Sequence, residues 1–437
     1  MKLVYNVEDK PSFSKTLVFA LQQMLAILAA TIAVPAIVGN GMSQSAALFG
    51  AGIGTLVYLL FTRFKSPVFL GSSFAFLGSM FTAFAGATAN TLLGYTGLLL
   101  GAIFAGLVYV VIALVVKKSG TGWIKKLMPA VVIGPTVAII GLSLAGNAVG
   151  DLKTATAGGS EYLAIVCGLV TLGVTMACSV YGKKFLKMIP FVIGICAGYA
   201  VAAIFTVLGT LTGAQALMII DFSKFSNMQW IPEFTFVNAF KGLGDLTPAY
   251  VATIAVAYVP VAFVVFAEHI ADHMNLSSII ERDLLTNPGL HNTLLGDGVG
   301  SMAGAFFGGC PNTTYGESVG CVAISGNASV VTILATAILC LVAAFVAPFT
   351  TFLATIPNCV MGGVCIALYG FIAVSGLKMI QTVDLGDNHN LFVVSVILIA
   401  GVGGLSVSFG AVTLTEVACA LILGILTNIL LSKKKAQ

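Results

Sequence analysis

Long apolar runs separated by short polar segments fill this chain from Thr16 to about residue 432. A helix needs roughly 20 apolar residues to cross the hydrocarbon core of a bilayer, and fewer where it is buried in protein. The pattern therefore predicts an all-α polytopic membrane protein. The fourteen predicted spans cover residues 16–37, 45–62, 67–85, 92–116, 128–147, 162–181, 188–210, 248–271, 292–309, 313–325, 328–350, 358–377, 391–410 and 412–432.

The composition supports this class of protein and excludes others. Of 437 residues, 58% are hydrophobic and 8% are charged, with a mean hydropathy of +1.05, whereas soluble chains carry about 25% charged residues. The chain has no stripe of basic residues of the kind that indicates nucleic-acid binding. The nine cysteines lie in apolar segments without a CxxC pair, and neither HExxH nor a nucleophile elbow occurs. We therefore expect no enzyme, no metal site and no cofactor.

The distribution of basic residues predicts the topology. Cytoplasmic loops of membrane proteins are enriched in Lys and Arg. With fourteen spans and a cytoplasmic N-terminus, only Lys153, Lys224 and Lys241 of the 20 basic residues fall on the outside. The polar segment before Thr16 lacks the features of a cleaved signal peptide. We expect a multi-pass protein of the cell membrane with both termini in the cytoplasm, and an outside loop over residues 211–247 that lies along the membrane interface.

Two of the predicted spans differ from the rest. Residues 67–85 and 313–325 are short and rich in Gly, Ser and Thr, and Pro67 and Pro311 stand at or just before their starts. Each is the third span of its seven-span half, and an odd number of spans inverts the second half. Paired interrupted segments at matching positions are typical of inverted-repeat transporters, whose binding site lies between them.

Glu268 and Asp272 place two acids in the eighth span. Their i, i+4 spacing puts both on one helix face, and acids at membrane depth usually mark a transport pathway. Two neighbouring carboxylates repel one another when both are ionised, which favours keeping one protonated. This is the property that a proton-coupled carrier needs. For Asp272 the alternative is a solvated position near the cytoplasmic end of the span.

Glu317 is the third intramembrane acid of interest, in a segment rich in hydroxyl side chains. Its carboxylate can accept hydrogen bonds from the N–H groups of a planar ligand, while free backbone amides donate to ligand carbonyls. The alternative is a polar kink. Ser73 offers a hydroxyl and Phe74 a ring that could stack on a flat base. Tyr369 is a second aromatic candidate, with plain packing as its alternative.

Other polar or glycine-rich segments have structural interpretations. His269 is offset from Glu268 by one position, which favours a core role, and His273 is predicted at the helix end. Asp297 is expected to bond the interrupted region of the ninth and tenth spans. The glycines of 50–54 and 296–300 indicate close helix packing, because neither segment lies between a strand and a helix.

At these residues the chain resembles the nucleobase–ascorbate transporter family (nucleobase:cation symporter-2), and within it the bacterial uracil and xanthine permeases. The resemblance covers nearly the whole chain, and the run from Pro311 to Gly320 is its most specific part. The segments that carry it are Leu21-Gln22-Gln23, Leu70 to Phe76, Ala267-Glu268-His269, Asp283-Leu284-Leu285, Asn287 to His291, Pro311 to Glu317, Pro357 to Gly363 and Leu368-Tyr369-Gly370.

The resemblance implies a fold with two kinds of domain and short strands in spans three and ten. A core domain comprises residues 1–117 (spans 1–4) and 248–350 (spans 8–11). A gate domain comprises residues 118–210 (spans 5–7) and 351–437 (spans 12–14 and the tail), with the extracellular loop at 211–247. The resemblance further implies that the core domain moves against the gate domain and that two chains form a homodimer through their gate domains.

The resemblance also implies a function and a site. The expected function is proton-coupled uracil import, with H⁺ as coupling ion, xanthine or another purine as the alternative cargo, and an anion transporter or channel as a more distant one. Glu268 and Glu317 hold the base, the backbone amides of Phe74 and Gly316 meet its carbonyls, and Asp272 or Glu268 couples the proton. The pocket is completed by Ser73, Tyr315, Tyr369 and Ser318.

The chain departs from the family pattern at four positions. Ser318 replaces an Asn that normally braces the site, and Gly326 replaces an Arg common in uracil carriers. Asp272 and Gln23 each stand where the familiar uracil carrier has His. Glu317 still matches the uracil type, since xanthine carriers usually have Gln there.

Overall fold

The fold is that of a computed structural model, which describes residues 3–88, 90–120, 123, 129–183, 185–409 and 412–432. Most of these residues are helical. The α-helices are α1 (Phe13–Val38), α2 (Gln44–Phe61), α3 (Leu77–Gly86), α4 (Thr91–Ser119), α5 (Ala130–Ser143), α6 (Ala145–Leu152), α7 (Glu161–Tyr181), α8 (Phe185–Met188), α9 (Pro190–Thr212), α10 (Thr235–Lys241), α11 (Pro248–Ile280), α12 (Leu290–Gly308), α13 (Gly316–Ser325), α14 (Val330–Ala343), α15 (Ala347–Thr355), α16 (Asn358–Ile380), α17 (Asn388–Val402) and α18 (Glu416–Ser432). The strands are β1 (Leu70–Ser72), β2 (Asn312–Thr314), β3 (Val407–Phe409) and β4 (Val412–Leu414).

Several helices are suited to crossing a bilayer. Within the described ranges, eight helical stretches are long and apolar enough to do so, or nine if α14 and α15 count as one bent span. Residues 328–350 were predicted as a single span, but α14 and α15 meet at 84°. Pro348 stands in the first turn of α15, where its missing N–H is tolerated and its fixed φ favours a new helix start.

β1 and β2 meet in the interior as a two-stranded antiparallel ladder. Leu70 pairs with Thr314 and Ser72 with Asn312, and every strand residue is buried. Non-helical backbone at membrane depth is tolerated only where it is buried in protein or lines a cavity. The ladder satisfies part of this backbone. A 3₁₀ turn over Phe74–Phe76 follows β1 and α13 follows β2, so two helical starts lie side by side.

The longer helices pack in two groups. In one group α2 packs against α12 and α14, α4 packs against α11 and α12, and α1 packs against α14. In the other, α16 packs against α5, α6 and α7, while α9 packs against α7 and α17 against α18 and α5. The strand pair lies within the first group and faces the second.

Glycines allow the close contact between α2 and α12. A Cβ on Gly54 would stand 2.8 Å from the carbonyl oxygen of Gly300, and one on Gly50 would meet the carbonyl oxygen of Gly304. Small residues at membrane helix interfaces permit this backbone approach. The close helix packing predicted for 50–54 and 296–300 is therefore confirmed.

Gly50→Ala is expected to destabilise the protein by about 1–3 kcal/mol, because the added methyl group overlaps the backbone of α12. Gly173→Ala is the matched control, since no atom lies within 4 Å of its added Cβ. In the control, the helix preference for Ala should leave stability unchanged or raise it by up to about 1 kcal/mol. Thermal unfolding of the two purified variants measures the difference. Equal unfolding temperatures would contradict the packing account.

α11 is longer than predicted. The span expected to end at residue 271 continues as a helix to Ile280, and His273, predicted at the helix end, is 1% exposed. The polar run after residue 271 lowers the hydropathy, but Leu276 and Ile280 continue the buried stripe that includes His273. The prediction that His273 lies at the helix end was wrong because tertiary burial extends past the apolar segment.

Candidate functional site

A cavity of about 390 Å³ lies between the two helix groups, next to the strand pair. Its polar wall consists of residues 73–75 and 313–317 together with acids of α11. Its apolar wall includes Val137, Ile140, Phe191, Leu368 and Phe371, which belong to α5, α9 and α16. A cavity of this size with one polar and one apolar side suits a small molecule with several hydrogen-bonding edges and an apolar face.

Three carboxylates line the polar wall. Glu268 and Asp272 come from α11, and Glu317 comes from the first turn of α13. The Asp272 Oδ2 atom accepts a hydrogen bond of 2.7 Å from the Thr314 hydroxyl of β2. No described side chain donates to Glu268 or to Glu317, whose carboxylate accepts from its own backbone N–H. Asp272 is therefore tied to the scaffold, while both glutamates are available to a ligand.

Unpartnered donors lie beside these acids. Among the described residues, Ser73 Oγ and Thr313 Oγ1 are buried without a hydrogen-bond partner, and both residues line the cavity. An unsatisfied buried polar atom costs about 1–3 kcal/mol, so these hydroxyls are suited to bonding a ligand. The first N–H groups of a helix have no intrahelical partner, which adds the amides of Phe74 and Gly316 to the available donors.

The predicted site residues fall into two sets. Those that line the cavity are Ser73, Phe74, Glu268, Asp272, Tyr315, Gly316 and Glu317. The Tyr315 hydroxyl is already engaged, because it donates to the Ser72 carbonyl at 2.8 Å. Tyr369 and Ser318 lie outside the lining. The Tyr369 ring packs edge-on against Phe74 at 5.8 Å.

Ser318 is fully buried behind the cavity. It contacts Gln23, which is another of the positions that depart from the family pattern. Ser318 Oγ accepts from Gln23 Nε2 at 2.5 Å and from the Phe69 N–H at 3.0 Å. The two departures at positions 23 and 318 are thus direct partners across 295 residues of sequence. This contact joins α1, α13 and the segment leading into β1, directly behind Glu317.

Several features of the site could not be predicted from sequence patterns. The apolar wall could not be recognised, because apolar residues in apolar spans carry no distinguishing pattern. Asp297 was expected to bond the interrupted region of the ninth and tenth spans, but its Oδ2 atom instead lies 2.7 Å from His269 Nδ1 of α11. Both side chains are buried.

Comparison with solved structures identifies the fold. The fold is similar to the transmembrane domain of a cyanobacterial bicarbonate transporter, BicA, with a TM-score of 0.64 and 16% identity, covering 97% of this chain and 100% of that one. It is also similar to the murine anion transporter solute carrier 26 family member A9 in the inward-facing state, with a TM-score of 0.68 and 12% identity, covering 98% and 70%. At such identities the likeness concerns the fold alone. The chain has the fold of multi-pass membrane transporters.

Sequence comparison then defines the family. The permease family matches residues 14–409. Similar proteins are the uracil permeases of Bacillus caldolyticus (38% identical over 433 residues, 98% of this chain and 95% of that one), Bacillus subtilis strain 168 (38% over 445 residues, 100% and 97%) and Escherichia coli K12 (35% over 424 residues, 96% and 92%). This chain belongs to the permease family, as a multi-pass protein of the cell membrane. The resemblance identified from the motifs is confirmed.

Proposed function

We propose that this protein imports uracil across the cytoplasmic membrane by symport with protons. The observation that carries the proposal is the position of Glu268 and Glu317, which line one cavity and accept no hydrogen bond from a described side chain. The relatives named uracil permease support the choice of cargo.

The chemistry of the cavity matches the edges of a pyrimidine base. Uracil alternates two N–H donors with two carbonyl acceptors around a flat ring. The carboxylates of Glu268 and Glu317 accept from the N–H groups, and charged acceptors form the stronger hydrogen bonds. The hydroxyls of Ser73 and Thr313 and the helix-start amides donate to the carbonyls, while the Phe74 ring contacts the face of the base.

Asp272 and Glu268 are the proposed proton carriers. An ionised acid is costly at membrane depth, so a proton bound together with the neutral base lowers the cost of moving the loaded site. The Thr314 hydroxyl donates to an ionised Asp272 and can instead accept from a protonated one. The acid therefore keeps its hydrogen bond to β2 in both protonation states.

The architecture in this proposal is two inverted seven-span repeats, with residues 1–117 and 248–350 as core and residues 118–210 and 351–437 as gate. The two packing groups of helices and the antiparallel strand pair support it. The cavity follows α16 from Leu368 to Met379, next to Lys378, which the charge pattern assigns to the cytoplasm. We infer that this conformation faces inward and that the protein forms a homodimer through its gate domains.

Uptake by reconstituted protein tests the proposal. We expect labelled uracil to enter proteoliposomes faster when a proton gradient is directed inward. The uracil recovered from the vesicles should be chemically unchanged. In parallel, uracil should raise the unfolding temperature of the purified protein, since a ligand stabilises by RT ln(1 + [L]/Kd). Stabilisation by xanthine alone would reassign the cargo. Bicarbonate or chloride flux without nucleobase uptake would overturn the proposal.

A further inference from the structure

His269 and His273 form a buried pair on the side of α11 that faces away from the cavity. Both rings are almost fully buried, and they stack with their centroids 4.1 Å apart. Each follows one of the cavity acids by one residue. One residue corresponds to about 100° of rotation around a helix, so the histidine face and the acid face of α11 are fixed relative to each other.

His273 connects α11 to α2 and to the segment before β1. Its Nδ1 atom lies 2.8 Å from the His269 carbonyl oxygen, and a carbonyl only accepts, so Nδ1 carries the hydrogen. In the neutral ring Nε2 then accepts from the Tyr58 hydroxyl, 2.6 Å away. The Tyr58 oxygen also lies 2.7 Å from Ser66 Oγ.

His269 connects α11 to α12. Its Nδ1 atom lies 2.7 Å from Asp297 Oδ2, and its Nε2 atom lies 3.0 Å from Thr293 Oγ1. Asp297 and Thr293 both belong to α12. The two rings thus use all four of their nitrogens in directional contacts, three of which reach side chains of other helices.

We propose that His269 and His273 are positioning residues that fix the rotation of α11 about its axis and so direct Glu268 and Asp272 into the cavity. The proposal rests on the function proposed above. A rotation of about 20° moves an atom near the helix surface by roughly 2 Å. A hydrogen bond between heavy atoms spans only about 2.7–3.2 Å, so this displacement breaks the bonds between the acids and their cargo.

Tyr58→Phe removes one hydroxyl and leaves the ring volume unchanged, so it tests the link without creating a cavity. His273 Nε2 then keeps only the longer contact of 3.5 Å with Ser66 Oγ. Tyr258→Phe is the matched control, because Tyr258 is equally buried but its hydroxyl has no hydrogen-bond partner among the described residues. His273→Leu removes the link from the other side. His273→Gln is the conservative variant, since its amide reaches the position of Nε2.

Two readouts separate positioning from plain stability. The first is the concentration of uracil that gives half-maximal thermal stabilisation, compared with the unfolding temperature without ligand. The second needs no cargo: Ala271, which lines the cavity, is changed to Cys in each background, and its labelling by a water-soluble maleimide is followed by peptide mass spectrometry. The labelling rate at this one residue reports whether the face of α11 that carries Glu268 and Asp272 still points into the cavity.

Tyr58→Phe and His273→Leu are expected to weaken uracil affinity at least tenfold and to change the labelling rate at position 271 severalfold, with Tyr258→Phe unchanged and His273→Gln close to the parent. Unchanged affinity and labelling in both disrupted variants overturn the proposal, even if their unfolding temperatures fall. If uracil fails to stabilise the parent protein, the proposed function fails, and the labelling comparison alone still decides whether the histidines position α11.

Discussion

Glu317→Gln and Glu268→Gln are each expected to nearly abolish uracil uptake. Glutamine keeps the shape of the side chain but loses the charge, and hydrogen bonds to charged groups contribute about 1.5–3 kcal/mol. A loss of about 1.5–3 kcal/mol corresponds to roughly 10- to 150-fold in affinity. No described side chain donates to either carboxylate, and the backbone N–H that bonds the Glu317 carboxylate can still donate to the amide oxygen of glutamine. Neither substitution therefore leaves a broken contact in the protein itself. The unfolding temperature without ligand should stay close to that of the parent.

Glu161→Gln is the control for this prediction. Glu161 is exposed at the start of α7, 3.7 Å from Lys153, and exposed ion pairs contribute little to stability. Uptake by this variant should equal that of the parent in the same proteoliposome assay. Normal transport by both cavity variants would move the binding site away from the two glutamates.

The candidate site shows what a sequence can and cannot predict about a transporter. The i, i+4 spacing of Glu268 and Asp272 predicts a shared helix face from local geometry alone. Glu317 follows Glu268 by 49 positions, and whether it lies next to the acid face of α11 depends on how β2 and α13 pack against that helix. No local pattern carries that information. The family resemblance supplied it as an expectation.

Local patterns predicted contacts between helices better than the positions at which individual helices end. The glycines of 50–54 predicted a close helix contact, and their partners on α12 follow the same spacing. The predicted span 391–410 ends as a helix at Val402 instead, and β3 pairs with β4 as an antiparallel ladder. The alternation of Ser406, Val407, Ser408 and Phe409 is a period-two signal, which the hydropathy of the surrounding spans concealed.

The register of β1 and β2 is a further feature that sequence alone does not determine. Strands of three residues carry too few side chains to specify a register by pattern, and all of these side chains are buried. The register depends instead on contacts from outside the strands. The Tyr315 hydroxyl donates to the Ser72 carbonyl, and Ser318 accepts from the Phe69 N–H.

A small apolar contact between the two helix groups allows the proposed movement of core against gate to be tested. Ala26 of α1 and Cys321 of α13 pack with Met188, the last residue of α8, and Ile189, which directly precedes α9. The first two belong to the proposed core and the last two to the proposed gate. If cargo crosses the membrane by sliding of core past gate, this contact must open during every transport cycle.

Ile189→Cys, linked to the native Cys321 by a short methanethiosulfonate cross-linker, is therefore expected to reduce uracil uptake more than tenfold. Reduction of the cross-link should restore uptake, because no residue of the cavity has been altered. The parent protein treated with the same reagent and the double variant Ile189→Cys, Cys321→Ser are the controls, and both should keep their activity. Binding should survive in the cross-linked protein, measured as thermal stabilisation by uracil, since the cavity stays formed. Full uptake by a protein shown to be quantitatively cross-linked would mean that α13 and α9 stay together throughout transport, and a carrier of this fold would then need another moving element.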